Sequence, residues 1–238
     1  MTADLDRYLP NYTDFNDWLI GARYALLQRY FQGGSCLELG PATGEGTAVL
    51  LDRFATVVAV DGSRDVVNGL AARFAGRGGL SAVHARFEDL ALDRRFDTVV
   101  LAHVLEHVDD PAGTLAVARR HLAPGGVLLV DVPNAMSLHR QVGVELGLLG
   151  AVTDLHAGDL SIGHQRVYTP ESFRREIEAA GLTIERFGGV FLKILSNAQS
   201  AAAFDAAQLR ALLAVGERYP EIAAEIYVVA RVTGDAHC

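Results

Sequence analysis

Two short stretches of this sequence carry residue types whose spacing suits chemistry. The first is Cys36-Leu37-Glu38-Leu39-Gly40-Pro41-Ala42-Thr43-Gly44-Glu45-Gly46, an apolar run that ends in a glycine-rich turn and passes directly into a helical pattern. In an open parallel sheet such a turn lies at the carboxyl end of a strand, where ligand crevices form. Glycines at 40, 44 and 46 let the backbone come close to a ligand. Their spacing, G-x-x-x-G-x-G, differs from the G-x-G-x-x-G of dinucleotide-binding turns, and Glu38 suits a cationic or amine-bearing ligand better than a pyrophosphate. The second stretch is His103-Val104-Leu105-Glu106-His107, which follows another apolar run. Its two imidazoles titrate near neutrality when unperturbed, and in a helical turn the i,i+4 spacing puts them on one side.

Glu38-Leu39-Gly40 with Gly44 and Gly46 resembles the first motif of class I S-adenosylmethionine-dependent methyltransferases. Further positions fit the same family in order. Asp61 ends the second apolar run, where the family places the acid that holds the ribose hydroxyls, and Glu88 with Asp89 resembles the adenine-contacting segment. Leu105-Glu106-His107-Val108 with Asp110-Pro111 is similar to the LEHV signature of the small-molecule members, and Leu122-Ala123-Pro124-Gly125-Gly126 to their L-x-P-G-G turn. The resemblance is close over about residues 35–135 and topological beyond. It implies S-adenosylmethionine as cofactor, bound by Glu38, Gly40, Gly44, Asp61, Glu88, Asp89 and His103. It also implies a seven-stranded, mostly parallel sheet in the order 3-2-1-4-5-7-6.

Methyl transfer from a sulfonium is an in-line displacement, so holding donor and acceptor in line can remove roughly 7–11 kcal/mol of barrier. The reaction requires no metal, and none is expected. A hydroxyl acceptor also needs a proton acceptor, for which His107 and His103 are the candidates, each against the plainer reading of a hydrogen-bonded structural histidine. His164, Arg166 and Tyr168 are expected to contact substrate from a long connection, with His139 and His156 behind them. Arg23 could meet the cofactor's carboxylate or form an ordinary ion pair.

These side chains need a scaffold, and the pattern supplies one. Apolar runs at 35–40, 56–61, 81–87, 96–103, 126–133, 182–191 and 221–232 alternate with helical stretches at 46–53, 63–74, 110–122 and 170–180, which is the mark of an α/β, doubly wound sheet with helices on both faces. Thr169 and Pro170 open the last of these helices and Gly181 stops it. Another helix is expected within 197–216. Residues 1–34 are expected to form an N-terminal helical cap ahead of a methyltransferase domain at 35–238, with a lid insertion at 134–168. Apolar Val142, Val144, Leu146, Leu148 and Leu149 in that insertion suggest a partly hydrophobic acceptor pocket.

The 238 residues are 50% hydrophobic with a net charge of −8, which argues against nucleic acid as partner. No apolar window is long enough to cross a membrane, and no leader or disulfide framework is evident, so a cytoplasmic protein is expected. A small-molecule acceptor in secondary or cofactor metabolism fits best, and a homodimer is compatible with this reading. The competing functions are a nicotinamide-dependent oxidoreductase, disfavoured by the glycine spacing, and a non-catalytic cofactor-binding subunit.

Overall fold

The computed structural model describes residues 15–234. One seven-stranded sheet organises them, in the order β3-β2-β1-β4-β5-β7-β6. The strands are β1 (Ser35–Leu39), β2 (Thr56–Asp61), β3 (Leu80–His84), β4 (Phe96–Ala102), β5 (Leu122–Pro133), β6 (Leu182–Val190) and β7 (Glu225–Val232). Strands β1 to β5 pair in parallel, whereas β7 runs antiparallel between β5 and β6. This is the expected order.

Successive residues on a strand point to opposite faces, and both faces here are apolar. Leu37, Val99, Leu101, Leu128 and Val130 face one core with Leu115, Phe173 and Ile177. Cys36, Val100, Leu129 and Val229 face the other, with Trp18, Leu27, Leu50 and Leu213. The helices covering the sheet are α1 (Phe15–Leu27), α2 (Glu45–Arg53), α3 (Arg64–Arg73), α4 (Pro111–Arg120), α5 (Leu138–Glu145), α6 (Ala157–Ser161), α7 (Pro170–Ala179), α8 (Asn197–Ala203) and α9 (Ala206–Arg218).

Several elements differ from the sequence reading for local reasons. The expected N-terminal cap is, over its described part, a layer of the domain: α1 buries Trp18, Leu19, Tyr24 and Leu27 in the second core. The part of that cap holding Tyr8 and Tyr12 lies outside the described residues. The single helix expected at 197–216 is two, because Asp205 starts α9 with a capping box of its own. Strand β7 begins at Glu225, since Pro220–Ile222 forms a 3-10 turn. Thr169 caps α7 as expected, accepting from the Ser172 amide.

In the 134–168 insertion, Leu146 and Leu148 are 68% and 75% exposed, so these residues line no enclosed pocket. The insertion is nonetheless anchored. Asn134 bridges to Tyr168, and buried Arg140 donates to Asp159 Oδ2 at 3.0 Å and to the Val152 carbonyl at 2.8 Å.

Candidate active site

The glycine turn follows β1 and leads into α2. Gly40 (φ 75°) and Gly44 (φ 88°) both take left-handed backbone that a side chain strains. A Cβ on Gly40 would also stand 2.7 Å from Val104, and one on Gly44 2.6 Å from Leu70. Gly46 has a different reason. A Cβ there would lie 2.2 Å from the Tyr24 ring, so the missing side chain lets α1 reach across α2.

That approach explains Glu38. Its carboxylate is buried and accepts from Tyr24 Oη at 2.9 Å and Thr47 Oγ1 at 2.6 Å. Burial outweighs both hydrogen bonds and raises it to about pKa 7. Glu38 was expected to touch the cofactor; its two oxygens tie α1, β1 and the first turn of α2 together beneath the glycine turn. Gly44 is the N-cap of α2 and offers no side-chain cap, so amides of the first turn lack that partner.

Ile20, Arg23, Tyr24, the turn residues Gly40 to Thr43, Ala102, His103 and His107 line a cavity of ≈ 200 Å³. It opens at the carboxyl ends of β1 and β4, where a crevice forms in open α/β sheets. Asp61 stands at the end of the neighbouring β2, half-buried, and accepts from the Ser63 amide at 2.8 Å. Glu88 and Asp89 are exposed, and Glu88 accepts from Arg86 Nε at 2.7 Å. Arg86, Glu88, His107, Asp109 and Gln165 lie along a further groove that His107 shares with the first cavity.

The floor of the crevice is an ionic cluster that the sequence reading missed. Arg23 of α1 makes a bidentate contact to Glu225 at the start of β7, with both nitrogen-to-oxygen distances 2.8 Å, and its Nε is 2.9 Å from Asp131 Oδ2 on β5. His103 follows β4 with left-handed backbone (φ 54°). Its Nδ1 is 3.1 Å from Glu106, and its Nε2 is 3.4 Å from Asp131 and 3.3 Å from Glu225. Burial and Arg23 push the His103 imidazole down, but Glu225 and Glu106 outweigh them and raise it to about 10. Burial raises Asp131 to about 7, whereas for Glu225 the pull of Arg23 and His103 overcomes burial and lowers it. Arg23 itself is held protonated, since Asp131 and Glu225 outweigh its burial.

The cluster decides between the two readings of Arg23. Its guanidinium is engaged by internal carboxylates, although it still edges the cavity. For His103 it has a further consequence: an imidazole that holds its proton at neutral pH is a hydrogen-bond donor rather than a general base. His107 is half-buried on the cavity wall, its amide bonded to the Val104 carbonyl at 3.0 Å.

The three residues expected to contact substrate are placed differently from one another. His164 is buried beside His107, ring centroids 4.7 Å apart. Arg166 donates to the carbonyls of Leu105 (2.7 Å) and Val108 (2.5 Å), which fastens the insertion to the 103–108 turn. Tyr168 is buried in the first core with its ring 5.7 Å from Phe173. Arg166 thus spends its guanidinium on backbone carbonyls of the 103–108 turn, and Tyr168 spends its ring on the first core. His139 and His156 belong to the insertion's own packing, where His156 caps α6 and burial, with Lys193 nearby, lowers His139 to about 3.

Comparison with known proteins agrees with this geometry. A family model described as "Methyltransferase domain" matches residues 16–186. A probable S-adenosylmethionine-dependent methyltransferase of Mycolicibacterium smegmatis is 28% identical over 189 residues, covering 78% of this chain and 67% of that protein. The cypemycin N-terminal methyltransferase of a Streptomyces species is 31% identical over 119 residues, 48% of each chain. The chain thus matches about half the length of one of these relatives and two thirds of the other. Among solved structures, the glycopeptide N-methyltransferase MtfA complexed with S-adenosylmethionine superposes with TM-score 0.61 at 21% identity, over 90% of this chain and 87% of that one. With the family match spanning most of the molecule and the motif series falling in place on a 3-2-1-4-5-7-6 sheet, the chain belongs to the methyltransferase domain family, the class I S-adenosylmethionine-dependent methyltransferases.

Proposed function

We propose that this chain transfers a methyl group from S-adenosylmethionine to an oxygen or nitrogen of a small-molecule acceptor, in secondary or cofactor metabolism. The observation that carries the reading is the single cavity shared by the glycine turn and the 103–107 turn, which would put donor and acceptor side by side. The residues present fit the cofactor. The left-handed glycines leave a cradle without side chains, the uncapped first turn of α2 suits a carboxylate, and Asp61 at the next strand end suits a ribose diol. When bound, S-adenosylmethionine supplies the electrophilic methyl carbon.

The chain's own residues position the partners and handle charge. His103, Arg23, Asp131 and Glu225 fix the floor as an ion-paired network that does not need to reorganise during reaction. His107 on the wall presents an imidazole to the acceptor side, where it can take a proton from a hydroxyl or an ammonium. The names of MtfA and the cypemycin enzyme favour a nitrogen acceptor.

The experiment is a methylation assay with labelled S-adenosylmethionine over matched amine and hydroxyl acceptors. Transfer of label with release of the demethylated cofactor supports the reading. Cofactor binding without transfer to any acceptor of either class would favour a non-catalytic subunit.

A further inference from the structure

Glu106, His107 and His164 each bring a ligand atom to one place, all three within 4.8 Å of one another. We propose that they form a binding site for one divalent transition cation of the zinc or manganese class, facing the acceptor side of the cleft. The proposal rests on the reading of that cleft as the acceptor site and refines the role of His107 within it. It also departs from the sequence expectation of no metal.

Three observations support it. Glu106 is completely buried, and the side chain that meets its carboxylate is His103, whose Nδ1 lies 3.1 Å from Oε1. Buried carboxylates are normally hydrogen-bonded, paired or bound to a metal, and one histidine on one oxygen leaves most of that capacity open. His164 is also buried, and its Nδ1 lacks a hydrogen bond while lying 3.5 Å from Asp159 Oδ1. A carboxylate behind an imidazole in this way is the usual outer support of a metal-binding histidine.

The third observation is that the main chain holds the set together. Gln165 donates its amide to the Glu106 carbonyl at 2.8 Å and its side chain to the His107 carbonyl at 2.8 Å, while Arg166 binds the carbonyls of Leu105 and Val108. Residues 164–166 are thereby locked onto the 105–108 turn, so His164 meets Glu106 and His107 without a large closure. Two imidazoles with one carboxylate suit zinc and its neighbours, and a tetrahedral zinc at about 2.0–2.1 Å from its ligands needs them roughly 3.3 Å apart. Modest side-chain rotation covers the difference. Because His107 also lines the cavity, the cation's remaining positions would open toward an acceptor oxygen or nitrogen, and His107 would act as a ligand in place of a proton acceptor.

The test uses the tag-free full chain after dialysis against a chelator, titrated calorimetrically with zinc chloride and manganese chloride, with cobalt(II) absorption as a second readout. The expected result is one equivalent bound at micromolar affinity or tighter. Both His164→Ala and the more accessible His107→Ala should weaken binding at least 100-fold, with secondary structure checked by circular dichroism. S-adenosylmethionine affinity should be equal in wild type and His164→Ala. Absence of stoichiometric binding to the wild type, or equal metal affinity in both variants, would overturn the site. If the wild type binds the cation but not S-adenosylmethionine, the cofactor reading fails and the metal site stands.

Discussion

At the scale of single residues, the charged groups inside this domain do more than their surface counterparts. Arg23 faces two buried carboxylates, so Arg23→Ala leaves Asp131 and Glu225 to share the single remaining cation of the cluster, His103. Breaking a buried pair in this way costs about 3–5 kcal/mol, and chemical denaturation should show a loss of that order. Glu38 gives a pH signature. Its raised value means that between about 4.5 and 7 the folded chain holds a proton that the unfolded chain has released. Its contribution to stability therefore falls as pH rises through that window and is constant above it. Glu38→Gln should remove this slope, worth roughly 3 kcal/mol in all by the free energy of a pKa shift, and an unchanged slope would contradict the assignment. His107→Ala should lower turnover by about 10²–10⁴-fold, the size expected for a group that handles the acceptor's proton or charge at the cleft, with S-adenosylmethionine affinity unchanged; unchanged turnover would return His107 to a structural role.

The glycine turn between β1 and α2 was legible because its residues are contiguous. The ionic floor was not, because Arg23 and Glu225 are 202 positions apart and meet only through the sheet. A signal did exist. Arg23 sits within the largely apolar helix Trp18-to-Leu27, Asp131 within Val127-to-Val132 and Glu225 ahead of Ile226-to-Ala230. Charges inside such runs are buried and must find partners, although their partners cannot be read from the runs themselves.

At the scale of elements, the contact between α1 and α2 is the one most sensitive to a single atom. Gly46→Ala places a methyl against the Tyr24 ring and must displace either the ring or the helix. Overpacking of this kind costs about 1–3 kcal/mol, and denaturant unfolding should show the loss together with weaker cofactor binding. The same contact explains why an N-terminal cap was expected and an integral layer found. Amphipathic spacing shows that a helix buries one face, not which face of the sheet receives it. Capping signals were more informative: Thr169 with Pro170 located the start of α7, whereas the Asp205 cap that divides α8 from α9 was hidden in an alanine-rich tract. The insertion misled for a related reason. Its leucines suggested a pocket, but anchoring by Arg140 and Arg166 turns Leu146 and Leu148 to the surface.

At the scale of the whole molecule, the sheet order brings the ends of β1 and β4 to one cavity, with the end of β2 beside β1. On the proposed cofactor site, a ligand would join the glycine turn, the β2 end and the 103–107 turn, so binding should stabilise the folded chain increasingly as ligand concentration rises above its Kd. Asp61→Ala should weaken the cofactor by at least tenfold in that measurement, and full affinity would remove Asp61 from the site. The most direct measurement is calorimetric titration of the purified chain with S-adenosylmethionine, its demethylated product and NAD in parallel. The account predicts micromolar binding of the first two at one site per chain and none of NAD. Binding of NAD alone would contradict it.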